Sequence, residues 1–107
     1  MGPGLGPGSG GRLSSAEIQR VVRASMSNFR ACYERALESA PGLEGKVTIA
    51  FTINTKGKVI AAADRDSTLS DKVVIDCVAR AFGALEFPKP EGGNVDVVYP
   101  LAFSAEK

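Results

Sequence analysis

Lys46-Val47-Thr48-Ile49-Ala50-Phe51-Thr52-Ile53-Asn54, followed by Thr55-Lys56-Gly57 and Lys58-Val59-Ile60, decides the fold. Val47, Ile49, Phe51 and Ile53 fall on every second residue, with Lys46, Thr48, Ala50, Thr52 and Asn54 between them. Side chains alternate across a strand, so this spacing predicts an extended segment with one apolar face and one that can meet water. Asn54-Thr55-Lys56-Gly57 predicts a tight turn, with Gly57 in the φ > 0 position that closes a short hairpin loop. Val59 and Ile60 restart an extended run through Ala61-Ala62-Ala63. A lone hairpin is barely stable in water, so the rest of the chain is expected to cover its apolar face.

Upstream, Ser14-Ser15-Ala16-Glu17 has the form of a capping box, and Leu13 before it can staple onto the first turn. Ile18, Val22, Met26 (or Ser25), Phe29, Cys32, Tyr33, Ala36 and Leu37 then recur at three- and four-residue steps. Arg20, Arg23, Asn28, Arg30, Glu34, Arg35 and Glu38 lie between them. The pattern predicts one amphipathic helix of about 25 residues, with its arginines on a solvated face, closed by Pro41-Gly42.

Downstream, Ser70 or Asp71 can cap a second helix whose stripe is Val73, Val74, Cys77, Val78, Ala81 and Phe82, ending either at Gly83 as its C-cap or a turn later through Ala84-Leu85. Phe87-Pro88-Lys89-Pro90-Glu91-Gly92-Gly93 reads as a stiff connector. Asn94 to Phe103 predicts a third strand, because Val95, Val97, Tyr99, Leu101 and Phe103 alternate with Asp96, Val98, Pro100 and Ala102. Pro100 has no amide for a ladder and is tolerated chiefly on an edge. The order α-β-β-α-β predicts an α+β two-layer sandwich. Its three-stranded sheet, of order 2-1-3, is covered on one face by two helices, with the second and third strands on the edges.

The 107 residues carry 13 basic and 12 acidic side chains, which gives no electrostatic reason to expect nucleic acid. No apolar run approaches the roughly 20 residues that span a bilayer. Residues 1–12 are mostly Gly and Pro and are expected to be a flexible linker or an appended end; 13–104 form the domain and 105–107 a tail. The two cysteines, Cys32 and Cys77, both sit on apolar stripes, and there is no histidine to complete a zinc site or a Cys–His nucleophile. Two buried thiols and one disulfide both fit the pattern, with thiols the commoner state of a core cysteine. No set of residues marks a metal site, a cofactor or catalysis, so no enzyme, small-molecule substrate or cofactor is expected.

Six pieces together carry a family resemblance: Cys32-Tyr33-Glu34-Arg35-Ala36-Leu37, Pro41-Gly42-Leu43-x-Gly45-Lys46-Val47, Gly57-Lys58-Val59, Cys77-Val78-x-Arg80, Phe87-Pro88-x-Pro90-Glu91-Gly92-Gly93 and Val98-Tyr99-Pro100-Leu101-x-Phe103-Ser104. They resemble the AgmX/PglI C-terminal domain, a TonB-like domain found in gliding-motility proteins of the GltG and GltJ type in myxobacteria. The resemblance covers nearly everything from Leu13 to Ser104. It implies a periplasmic module of an inner-membrane-anchored protein that couples to an outer-membrane or periplasmic partner, in gliding motility or TonB-like energy transduction.

The resemblance also implies a site. Such domains bind a partner segment by pairing it with the edge of the last strand, which here is Asn94, Val95, Asp96, Val97, Val98 and Tyr99. Pro100 should end the usable edge. An oxidising periplasm tips the two cysteines toward a Cys32–Cys77 disulfide. The competing reading of the same fold is a self-association or scaffold module that pairs copies through an edge strand.

Overall fold

A computed structural model describes residues 4–5 in backbone only and residues 11–104 in full. The elements are β1 (Gly4–Leu5), α1 (Ser15–Ala24), α2 (Met26–Leu37), β2 (Gly45–Ile53), β3 (Val59–Asp64), α3 (Lys72–Gly83) and β4 (Val95–Phe103). The sheet is antiparallel throughout, in the order β1-β4-β2-β3. Its three longer strands keep the predicted arrangement, since β3, β2 and β4 are the second, first and third strands of the sequence reading.

β2 is the axis of the molecule. It pairs with β4 from Gly45↔Phe103 to Ile53↔Val95 without a slip. That register puts Val47, Ile49, Phe51 and Ile53 beside Leu101, Tyr99, Val97 and Val95 on one face. All of these are buried except Tyr99, which is half-buried. The helices cover this face. Phe82 of α3 stacks on Phe29 of α2 with ring centroids 4.6 Å apart, and meets Phe51 of β2 at 5.1 Å and Tyr99 at 6.0 Å. Tyr33 stacks on Phe103 at 5.0 Å. Its hydroxyl donates to the Leu43 carbonyl, and burial, with the Glu44 carboxylate adding to it, pushes the phenol above its ordinary range.

The turn at 54–57 forms as the sequence dictates. Asn54 Oδ1 accepts from the amides of Lys56 and Lys58, and Gly57 sits at φ 85°. A Cβ on Gly57 would lie 2.1 Å from the Phe87 carbonyl oxygen, so close approach as well as backbone conformation requires glycine there. Beyond Asp64 the chain leaves β3 but stays beside β2. Arg65 donates to the Thr48 carbonyl, and Thr68 and Leu69 donate to that of Lys46. Ser67 Oγ and Thr68 Oγ1 accept the amides of Thr48 and Lys46.

Three expectations are corrected. The single long first helix is two helices broken at Ser25, whose φ and ψ are −110° and 13° and whose amide reaches back only to Val22. A straight helix of 25 residues would be about 37 Å long, whereas a nine-residue strand is about 30 Å and its sheet twists. The break lets Ile18 and Val22, then Phe29, Cys32 and Tyr33, each be buried. Serines at 25 and 27 offer little helix propensity to resist it.

On α3, Val73 points outward at 74% exposure, and Ile75 is buried instead. Asp71 Oδ1 accepts from Val73 and Val74, so Asp71 rather than Ser70 caps the helix. The buried line is Val74, Val78 and Phe82, with Ile75 rather than Val73 beside it. Finally, β3 carries a bulge opposite Ala50–Thr52, with Ala61 at φ 59°. The bulge shifts the inward positions to Val59 and Ala62 and leaves Ile60 43% exposed on the open face.

Candidate functional site

Both outer edges of the β3-β2-β4 unit were candidates for pairing with another chain. The β3 edge is short and bulged, and its start is bridged by Lys58↔Glu86, with the Phe87 amide on the Gly57 carbonyl. Bulges and covering contacts of this kind blunt an edge. β4 has a straight, nine-residue course.

The direction of its backbone groups follows from Thr48. Both main-chain groups of Thr48 bond toward the 65–67 segment, the amide to Ser67 Oγ at 2.9 Å and the carbonyl to Arg65 N–H at 2.8 Å. The pair Thr48↔Pro100 is therefore one that exchanges no ladder bonds, so residue 100 faces away from β2. Every second residue shares that direction, which aims the backbones of Asn94, Asp96 and Val98 at the outer edge. The Asn94 carbonyl confirms the phase by accepting the Gly11 amide at 2.9 Å. Pro100 thus offers no donor on the outer side.

The six expected contact residues divide accordingly. Val95 and Val97 are core residues and turn their side chains inward. Asn94, Asp96 and Val98 are half-buried, and Asp96 accepts from Thr52 Oγ1 at 2.6 Å across the sheet face without helices. Tyr99 is half-buried against Phe82. What the residues share is the backbone course of one strand.

The edge is not bare. Gly4↔Val98 and Leu5↔Val97 pair antiparallel as β1, so β4 is flanked on both sides there, contrary to the expectation that it is the outermost strand. Further along, Arg12 N–H donates to the Glu91 carbonyl at 2.7 Å and Glu91 N–H returns a bond at 3.1 Å. Gly11 packs so tightly that a Cβ would meet the Gly93 oxygen at 2.0 Å and the Asn94 oxygen at 2.6 Å. The linker expected over residues 1–12 lies partly outside the described residues, as does the 105–107 tail. Its described parts are hydrogen-bonded to the domain. Sequence reasoning missed this role because Gly and Pro dominate the segment; the one signal was Leu5 between Pro3 and Pro7.

A second feature lies on the helical layer. Cys32 of α2 and Cys77 of α3 form a disulfide with Cα atoms 5.8 Å apart. Cys32 is buried and Cys77 half-buried. Among the described residues no group of three or more His, Cys, Asp or Glu is placed to hold a metal ion, and no helix is long and apolar enough to cross a membrane.

Comparison with known proteins agrees with the architecture. The structure is similar to that of the C-terminal domain of Helicobacter pylori TonB, with a TM-score of 0.65, 28% identity and coverage of 89% of this chain and 86% of that one. It is similar in fold to the Pseudomonas aeruginosa TonB C-terminal domain, with a TM-score of 0.54, 23% identity and coverage of 66% and 75%. The chain has a TonB C-terminal-like α+β fold. In sequence it is 30% identical over 91 residues to the tyrosine-protein kinase MasK of Myxococcus xanthus, which covers 85% of this chain. The chain spans only 14% of the length of that kinase. No family model matches the chain.

Proposed function

We propose that this chain is a non-catalytic protein-binding domain of a membrane-anchored envelope machine, which docks an outer-membrane or periplasmic protein segment as an added strand on β4. The observation that carries the reading is that the β4 edge already accepts a strand. Outward-facing backbone from Asn94 to Val98 pairs with Gly4–Leu5 and receives the Gly11 amide. Main-chain bonds supply affinity in this mode of recognition and alternate side chains supply selectivity. Val98, on the open face beside Ala50 in the register, and Asp96, beside Thr52, would be the selective positions.

The likeness to TonB C-terminal domains supports a coupling role, in gliding motility or in TonB-like energy transduction. The Cys32–Cys77 bond suits an oxidising compartment, which supports a periplasmic home and a parent anchored in the inner membrane.

A photo-crosslinking amino acid in place of Val98, in the full-length protein in its own cells, tests the reading. A crosslink to a different envelope protein supports it. A crosslink only to a second copy of the same protein replaces it with self-association, and no crosslink from Val98 when exposed helix positions such as Arg20 do crosslink refutes edge docking.

A further inference from the structure

We infer that the N-terminal segment is an intramolecular placeholder strand, held over the β4 edge until a longer strand displaces it. The inference rests on the edge-docking reading above and adds a gate to it. Three observations carry it. The segment covers the same backbone that a partner would use, Gly4 and Leu5 lying opposite Val98 and Val97. It is delivered there by a second clamp, in which Gly11 and Arg12 bond to Asn94 and Glu91. It is also built to hold weakly. Pro3 and Pro7 on either side of Gly4-Leu5-Gly6 have no amides to extend the ladder, and the paired strand is two residues long beside a nine-residue neighbour.

Tethering makes so short a strand effective. Only residues 6–10 separate β1 from the Gly11 clamp, and a short linker presents its end at an effective concentration of roughly millimolar. An intermolecular strand must exceed that to displace it, which a segment pairing with Asn94, Asp96 and Val98 together could do. The kind of partner that fits is therefore an extended, proline-free stretch of about five residues or more. A covered edge also keeps copies of the domain from pairing with one another in the resting state.

Gly11 provides the switch to test. A methyl group there collides with two backbone oxygens of the 93–94 segment. Gly11→Ala in the full chain, and a chain beginning at Arg12, should both release the strap. Among the described residues every buried core residue lies at Leu13 or later, so the domain itself should persist.

The measurement is amide hydrogen exchange by NMR on dilute protein. The Val98 amide faces the strap, whereas that of Val97 faces β2 and serves as the internal control. Release should speed exchange at Val98 by tenfold or more and leave Val97 unchanged. A peptide of residues 1–10 added to the shortened chain at millimolar concentration should slow Val98 again. Val98 exchange as fast in the intact chain as in the shortened one would overturn the placeholder, even if Val98 crosslinks to a partner in cells. Protection in the intact chain that disappears on dilution would overturn it too, because a second copy would then be the cover. If the strap is real but Val98 never crosslinks to another protein, the docking reading fails and the cover stands as a guard against self-pairing.

Discussion

Breaking the bond between Cys32 and Cys77 should remove about 4 kcal/mol of stability. The cysteines lie 45 residues apart. In the chain-entropy model a closed loop of that size lowers the entropy of the unfolded chain by about 13 cal/mol/K, which is about 4 kcal/mol at 25 °C. The fold adds two reasons to expect most of that figure. The bond joins α2 to α3 where the two helices already pack together, and the native Cα separation of 5.8 Å lies in the range that disulfides adopt without moving the backbone. The assay is urea unfolding of the oxidised protein, the reduced protein, Cys32→Ala, Cys77→Ala and the double variant. With a urea slope of 1–3 kcal/mol/M, the midpoint should fall by roughly 1.5–4 M, and in heating the melting point by roughly 15–30 °C. The bond is one unit, so each single variant should lose nearly what the double variant loses. Oxidised and reduced proteins within about 1 kcal/mol of each other would refute the reasoning, since the reduced chain would then already hold its helices together.

Three further perturbations probe other levels of the structure. Asp71→Ala removes the acceptor for Val73 and Val74 at the start of α3 and should cost about 1 kcal/mol in chemical denaturation, with Asp71→Asn recovering most of it. Phe82→Ala empties the centre of the aromatic cluster and should cost about 3–5 kcal/mol; a loss under 1 kcal/mol would mean that Phe29, Phe51 and Tyr99 do not depend on it. Tyr33 gives a pH signature. Its folded pKa lies above the unfolded value of 10.0, so its contribution is complete below pH 10 and is lost as pH rises through the folded pKa. Tyr33→Phe should flatten that alkaline decline and lower stability at neutral pH by leaving the Leu43 carbonyl without its donor, both read from melts between pH 7 and 11.

The parts legible in sequence were those written in local periodicity. Val47 to Ile53 gave a strand, Asn54 to Gly57 a turn, and Ser14 with Glu17 a cap, because each depends on neighbours within four residues. The break at Ser25 was not legible. Apolar residues continue in helical phase through it, and only the length and twist of the sheet below demand it. The outward Val73 illustrates a narrower limit. Val73 and Ile75 flank Val74 in sequence, and only the way α3 lies on the sheet decides which of them is buried. The bulge at Ala61 falls in a run of three alanines that carries no phase of its own. The site divides in the same way. The last strand could be located from its alternation, while the segment lying on it could not. Backbone pairing by Gly4 and Leu5 leaves no mark in hydropathy.

The disulfide also decides which part of the chain can bear load. If a pull arrives through the N-terminus and is opposed at β4, tension entering α2 crosses from Cys32 to Cys77 and continues through α3 into β4. The residues between the cysteines, including all of β2 and β3, are shunted out of that path. Some 45 residues, roughly 150 Å of extended chain, cannot be reeled out however hard the ends are drawn. The central strand stays in place as a beam against which β4 is braced along nine paired positions. A domain tethered in this way resists stretch through a covalent short circuit and can give way only outside the loop that the two cysteines close.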